Sequence, residues 1–187
     1  VSFINQNFTN FIISVKYKSE SIKEYFGDGS KLGVHINYIE EENSLGTGGS
    51  LSLIKDDFSE PMIVINGDIM TTLDFSELIN FHKENNSHAT MCVKKSDFKL
   101  PYGVVDLDND GNILNFNEKP NISNFINCGI YVFEPEVLKF IPKNKFFDLP
   151  ELFQILIEKN FIVKSFCVSD YWNDIGNPVV YKDLSDN

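Results

Sequence analysis

Arginine is missing from this chain of 187 residues, and basic residues as a whole are few: 16 lysines face 27 acidic residues, for a formal net charge of −11. A surface of that sign excludes nonspecific binding to nucleic acid or to anionic membrane, both of which need basic patches. It does not exclude a nucleotide, whose phosphates backbone N–H groups, a few lysines and a metal ion can neutralise. Cysteine is scarce too. Cys92, Cys128 and Cys167 stand far apart, each in an apolar run, with no C-x-x-C spacing, which excludes a zinc knuckle and a disulfide framework. Buried, reduced thiols and a cytoplasmic location are the expectation. No apolar run approaches the ~20 residues that span a bilayer, and no basic-then-apolar leader pattern is present. His35, His82 and His88 have neither metal-ligand spacing nor a partner nucleophile, so structural roles are expected for them. The surplus of Phe, Ile, Asn and Lys over Ala and Arg fits AT-rich codon usage and carries no functional information.

What is present reads as one α/β domain with a real core. Phe11–Val15 is an apolar run of strand length, and Val34–Ile39 alternates with period two. Between them Ser19 is expected to cap a helix bearing Ile22, Tyr25 and Phe26, closed by Gly27. Pro61 opens a buried strand over 62–66. Asp74-Phe75-Ser76-Glu77 is a capping box that starts a helix with Leu78, Ile79 and His82 inward. Ala89–Val93 is the next strand, then 104–107 and 113–116 form a hairpin around Asp108-Asn109-Asp110-Gly111. Asn127–Phe133 is a strand, Asp148-Leu149-Pro150-Glu151 a second capping box for a helix to Lys159, and 162–168 a last strand. Strands alternating with helices imply βαβ units, a mainly parallel sheet, and ligands at the carboxyl ends of its strands.

Five short stretches carry candidate chemistry. Leu45-Gly46-Thr47-Gly48-Gly49-Ser50 would let a backbone lie flat against a ligand. Asn66-Gly67-Asp68 sets a carboxylate behind the buried strand, and Trp172-Asn173-Asp174-Ile175-Gly176 supplies a second. Two carboxylates are the usual protein share of a Mg²⁺ site, the rest being phosphate and water. In Glu118-Lys119-Pro120 the proline disfavours helix at Lys119 and keeps the tripeptide extended; Glu118 could accept hydrogen bonds from sugar hydroxyls and Lys119 could hold a phosphate. Pro101-Tyr102-Gly103-Val104 and Asn127-Cys128-Gly129-Ile130-Tyr131 place glycines at strand positions where a ligand or another backbone approaches. Singly, each has an ordinary explanation: a turn, a helix cap, a solvated charge pair, a β-bulge.

In this order and spacing the five stretches resemble the sugar-1-phosphate nucleotidyltransferases, over essentially the whole chain. The likeness is greatest to the guanylyltransferases that act on mannose-, heptose- or glucosamine-1-phosphate, among them members with an upstream pair of CBS regulatory domains. The resemblance implies a Rossmann-like, three-layer fold related to the GT-A type, with a mixed, mainly parallel sheet plus a hairpin. It implies that Leu45, Gly46, Thr47 and Gly48 contact base and ribose, and that Asp68 and Asp174 hold Mg²⁺. Gly103, Glu118 and Asn127 would contact the sugar, and Lys119 its phosphate. The implied reaction is attack of the sugar-1-phosphate on the α-phosphorus of an NTP, GTP by preference, releasing pyrophosphate. Positioning and charge neutralisation suffice for such a transfer, so no protein nucleophile is expected.

The family pattern also has a first βα unit carrying G-G-x-G-T-R-L and then P-K-P, and neither occurs here. Residues 1–187 are therefore expected to form a partial, N-terminally truncated domain, inactive alone, whose raw sheet edge would favour self-association. Two other classes remain: a non-catalytic sugar-nucleotide-binding or regulatory subunit, and a nucleotide-sugar glycosyltransferase, which would ordinarily show Asp-x-Asp where this chain has Asn66-Gly67-Asp68.

Overall fold

The computed structural model describes residues 2–55 and 58–176, so the end of the expected domain, 177–187, lies outside the described residues. A short helix, α1 (Ser2–Asn5), precedes strand β1 (Asn10–Val15), helix α2 (Ser19–Phe26) and strand β2 (His35–Glu40). β1 and β2 pair in parallel, Asn10 opposite His35, and α2 makes the crossover that parallel pairing requires. Gly27 closes α2 at φ 57, but Ser19 does not cap it: Lys18 precedes the first turn at φ 53. A left-handed entry leaves no extended residue whose hydroxyl could reach the first amides.

The glycine-rich segment is not an open loop. Gly46–Gly49 is a helical turn, α3, which runs on as 3-10 helix through Ser50–Leu53. Strands β3 (Met62–Ile65) and β4 (Ile69–Thr71) follow, then α4 (Phe75–Glu84). Asp74 starts α4 by accepting hydrogen bonds from the amides of Ser76 (2.8 Å) and Glu77 (3.3 Å), and Leu78 and His82 are fully buried on its inner face. β5 (Ala89–Lys99) leads to the hairpin β6 (Val104–Leu107) and β7 (Ile113–Asn117), whose turn is held by Asp108 accepting from the amides of Asp110 and Asn112. β8 (Asn121–Phe133), α5 (Leu149–Glu158), β9 (Val163–Cys167) and β10 (Trp172–Asp174) complete the described chain. β5 and β8 each run well past their apolar stretches, Lys94–Lys99 pairing with Asn121–Ile126 as an exposed ribbon.

The central sheet has the order β3-β8-β5-β9. β3, β5 and β9 share one direction, yet only β5 and β9 are parallel neighbours, because β8 lies between β3 and β5 and is antiparallel to both. The sheet is mixed, as expected, but its parallel strands are mostly not adjacent. β8 is reached through the hairpin and not through a helix, so it can enter antiparallel without a crossover.

Alternate residues of β8 divide the core into two layers. Tyr131 and Phe133 face Leu149, Leu152, Phe153 and Leu156 of α5, whereas Ile130 and Val132 face Phe75 and Leu78 of α4. The result is helix, sheet, helix, with Cys128 to Phe133 buried throughout. Cys92 and Cys128 are buried as expected, and Cys167, at the end of the edge strand β9, is exposed. No helix of the described residues is long and apolar enough to cross a membrane.

Candidate active site

Three local structures bring the candidate residues into place. The first forms at the carboxyl end of β3. Beyond Ile65 the chain turns through Asn66-Gly67-Asp68 into β4, which pairs antiparallel with β10 so that Asp174 lies opposite Ile69. The amide of Ile175 donates to Asp68 O at 2.9 Å, and that of Gly176 to Asp174 Oδ1 at 2.9 Å. The two carboxylates thus converge on one point: a Cβ added to Gly176 would sit 2.6 Å from Asp68 Oδ2 and 3.1 Å from Asp174 Oδ1. Two hard oxygen donors face a position with no side chain of its own.

A bulge in β8 adjoins this pair. Met91 of β5 is opposite Tyr131 while Val93 is opposite Asn127, so β8 packs extra residues between them, with Gly129 at φ 66. That left-handed residue brings Gly129 O to the amide of Asn66 at 2.9 Å, and a Cβ there would meet Asn66 Nδ2 at 2.8 Å. Asn127 holds the bulge: its Oδ1 accepts from the amide of Gly129 (2.9 Å) and its Nδ2 donates to Tyr131 OH (2.6 Å). Trp172 Nε1 donates to Cys128 O at 2.8 Å, clamping β10 to the same bulge. Lys94 brings a positive charge here, its Nζ 6.0 Å from the Trp172 ring centroid.

The second structure is α3 against the entry to α5. The amides of Gly48 and Gly49 both donate to Phe147 O, at 2.9 and 3.0 Å, and Phe147 donates back to Leu45 O at 2.8 Å. The glycines are explained by this packing. A Cβ at Gly46, itself at φ +75, would lie 2.7 Å from Asp148 Oδ1; one at Gly49 would lie 2.4 Å from Lys145 O. Thr47 donates from both its amide (2.9 Å) and its hydroxyl (3.1 Å) to Asp148 Oδ1. The bare faces of this segment therefore turn toward protein, not toward an open ligand surface as the sequence suggested.

The third lies where the hairpin meets the ribbon. Gly103 is covered by the Phe116 ring and by Glu118, whose Oε2 would be 2.8 Å from an added Cβ. Lys119 is not extended. It adopts φ 46 at the break in the ladder where the β6–β7 pairing passes into the β5–β8 ribbon, a conformation that the proline rule, which disfavours right-handed helix before Pro120, does not specify. The Glu118 and Lys119 side chains consequently fall on one side, Lys119 Nζ lying 3.7 Å from Glu118 Oε1, with both more than half exposed.

The first two structures are connected. Tyr131 bridges them, bonded to Asn127 and with its phenol held above the ordinary value, chiefly by burial and in part by the nearby Asp148 carboxylate. Among the described residues no hydrogen bond or ion pair ties Glu118 and Lys119 to Asp68 or Asp174. Asn66, Lys94, Asp148 and Gly176 were not singled out from the sequence as site residues. Only Asp148 carried a signal, as a helix cap, and nothing in that signal pointed to Thr47.

The chain has relatives among known proteins. A family model for nucleotidyl transferases matches residues 2–187. The chain is 37% identical over 173 residues to a mannose-1-phosphate guanylyltransferase catalytic subunit beta of Drosophila pseudoobscura pseudoobscura, covering 89% of this chain and 46% of that protein. It is 35% identical over 188 residues to a UTP–glucose-1-phosphate uridylyltransferase of Synechocystis, covering 90% and 48%. Among solved structures, HddC from Yersinia pseudotuberculosis superimposes with a TM-score of 0.72 at 25% identity, covering 99% of this chain and 81% of that one. The chain spans about half the length of the curated relatives it matches. With a family model that runs across nearly all of it, a mixed three-layer sheet and paired strand-end carboxylates, this chain belongs to the nucleotidyl transferase family.

Proposed function

We propose that the protein containing this chain transfers a nucleoside monophosphate from an NTP, GTP by preference, to a sugar-1-phosphate. A phosphate oxygen of the sugar attacks the α-phosphorus, the bond from that phosphorus to the bridging oxygen breaks, and pyrophosphate leaves. The observation that carries this reading is the convergence of Asp68 and Asp174 around Gly176. Two carboxylates with no bulk between them fit Mg²⁺, which prefers a few protein oxygens and leaves its other positions to phosphate and water. Among the described residues no group of three or more His, Cys, Asp or Glu side chains is placed to hold a metal by itself. Bound there, Mg²⁺ would supply charge neutralisation at the triphosphate.

The remaining roles follow the grouping of the residues. Leu45, Gly46, Thr47 and Gly48 form the wall that receives base and ribose, through the side left open at Gly46 and Thr47, since Leu45 and Gly48 are themselves buried. Asn127, held rigid by Gly129 and Tyr131, and Glu118 over Gly103 receive the sugar hydroxyls. Lys119, exposed and only loosely paired, places a mobile positive charge for the sugar phosphate. GTP is favoured because guanylyltransferases recur among the relatives, while a uridylyltransferase at similar identity supports the reaction and leaves the base to experiment. The protein works in the cytoplasm, and its exposed apolar hairpin favours association with further copies.

The test is pyrophosphate release by the complete protein with Mg²⁺, mannose-1-phosphate and each of the four NTPs. Turnover with GTP, lost by about 10²-fold or more in D68N and D174N, is the expected result. In K119A the KM for the sugar phosphate should rise. No pyrophosphate with any NTP would overturn the reading in favour of a binding subunit, and rapid turnover by the 187-residue chain alone would overturn the expectation that it is inactive by itself.

A further inference from the structure

Thr47 is the only polar side chain in the stretch Leu45–Gly49, and it is fully engaged. Its hydroxyl donates to Asp148 Oδ1 (3.1 Å) and accepts from the amide of Leu149 (3.0 Å), the first helical residue of α5; its amide donates to the same Oδ1 at 2.9 Å. Asp148 is fixed in turn, its amide donating to Glu151 Oε1 at 3.3 Å. One carboxylate oxygen therefore takes two hydrogen bonds from α3, and one hydroxyl takes the place of a cap for α5. The orientation of the 45–50 turn is decided at the start of a helix remote in sequence. The fit is tight enough that a Cβ on Gly46 would collide with that same oxygen, at 2.7 Å.

We propose that Asp148 is a positioning residue for nucleotide binding: acting through Thr47, it holds the glycine-rich turn in the orientation in which its free face meets base and ribose. The proposal rests on the reading of residues 45–48 as the nucleotide wall. A turn of this composition has little stiffness of its own, since glycine is the most freely disposed residue on the backbone. Without an external anchor it would sample many orientations, and binding would carry the entropy of ordering it. The backbone bonds to Phe147 fix where the turn sits, and Asp148 adds the side-chain anchor at Thr47 that orders it before the ligand arrives.

The experiment measures GTP affinity by calorimetry with Mg²⁺ on the complete protein, together with KM values for GTP and sugar-1-phosphate and the thermal midpoint, for wild type, D148A, D148N, T47V and D148A/T47V. D148N keeps an oxygen acceptor in the same place and should bind GTP within about twofold of wild type. D148A and T47V should each weaken GTP by about tenfold, the worth of a charge-assisted hydrogen bond, with the KM for sugar phosphate nearly unchanged. In GTP affinity the double variant should be no worse than the weaker single variant, since both break the Thr47–Asp148 contact, while loss of the Leu149 amide's bond to Thr47 should lower only the thermal midpoint. Wild-type affinity in D148A and T47V, or equal losses for both substrates in step with lost stability, overturns the positioning role. If wild type itself binds none of the four NTPs, the nucleotide wall is the reading that has failed, and this proposal falls with it.

Discussion

Replacing Gly49 by alanine isolates the packing of α3 on the 145–149 segment from every other effect. Gly49 has φ −64 and ψ −29, ordinary right-handed helix, so the substitution brings no backbone strain. What it brings is overlap. The new methyl would lie 2.4 Å from Lys145 O and 2.9 Å from Leu45 Cβ, and neither obstacle can swing away as a side-chain tip can. Restoring ordinary contact means parting two backbone segments by about 1 Å, which loosens the Gly48 and Gly49 hydrogen bonds to Phe147 O. Overpacking of this kind costs about 3 kcal/mol, while alanine in place of glycine within a helix returns about 1 kcal/mol. The net loss is about 2 kcal/mol, or a fall of roughly 4–8 °C in Tm for a domain of this size. Gly67 is the control, with nothing within 4 Å of its added Cβ, and G67A should melt at or slightly above wild type. Thermal and urea denaturation of the three proteins decides the matter. A G49A protein as stable as wild type would refute the claim that these glycines serve packing.

Thiol labelling checks the burial pattern: burial pushes Cys128 up to about 11 and raises Cys92 as well, so a thiol reagent at pH 8 should modify Cys167 alone until denaturant is added. Rapid modification of two or more thiols in the native protein would contradict it. Burial holds the His82 imidazole below its usual value, against the opposing pull of Glu134 at 3.4 Å and with Lys83 and His88 adding to the depression. A histidine depressed on folding takes up protons on unfolding, so its share of stability is full above about pH 6.5 and is lost as the pH falls through the folded value. Urea midpoints should fall between pH 7 and 5.5, and fall less in H82Q; equal slopes would refute the assignment. Ile113, Leu114, Phe116 and Phe125 are each 60% or more exposed on the hairpin and ribbon, so light scattering should show self-association of the isolated chain that weakens in L114D. A monomer at all concentrations would count against it.

Elements whose evidence is local were legible in the sequence. The Asp74 cap, without the reciprocal Glu77 bond of a full box, and the capping box at Asp148 start α4 and α5 where expected, and the Asp108–Gly111 turn sets the hairpin. Apolar runs marked β3, which was expected to be buried but is only half-buried because it lies at the sheet edge, and the buried portions of β5 and β8. Their polar extensions, Lys94–Lys99 and Asn121–Ile126, were missed because an exposed ribbon has no buried face to impose a period of two. Lys119 was read as extended from the proline rule alone, and the break in the ladder between β7 and β8 where it turns left-handed has no local signal. Ser19 was read as a cap on residue type alone, without the left-handed entry at Lys18.

The deeper division follows the range of the forces. Composition, charge, capping and the order of the five motifs act along the chain or over one turn, and these sufficed for family and fold class and marked the two carboxylates as candidates. Contacts between distant segments depend on how sheets close and helices dock. Tertiary structure alone inserted β8 between β3 and β5, set Asp68 beside Asp174 across the β4–β10 ladder, and turned the glycines of α3 toward Lys145–Asp148. A glycine read from sequence says that something comes close. Which surface comes close is decided only when the chain has packed, because the partner is chosen by topology and by the burial of the core and not by neighbouring residues.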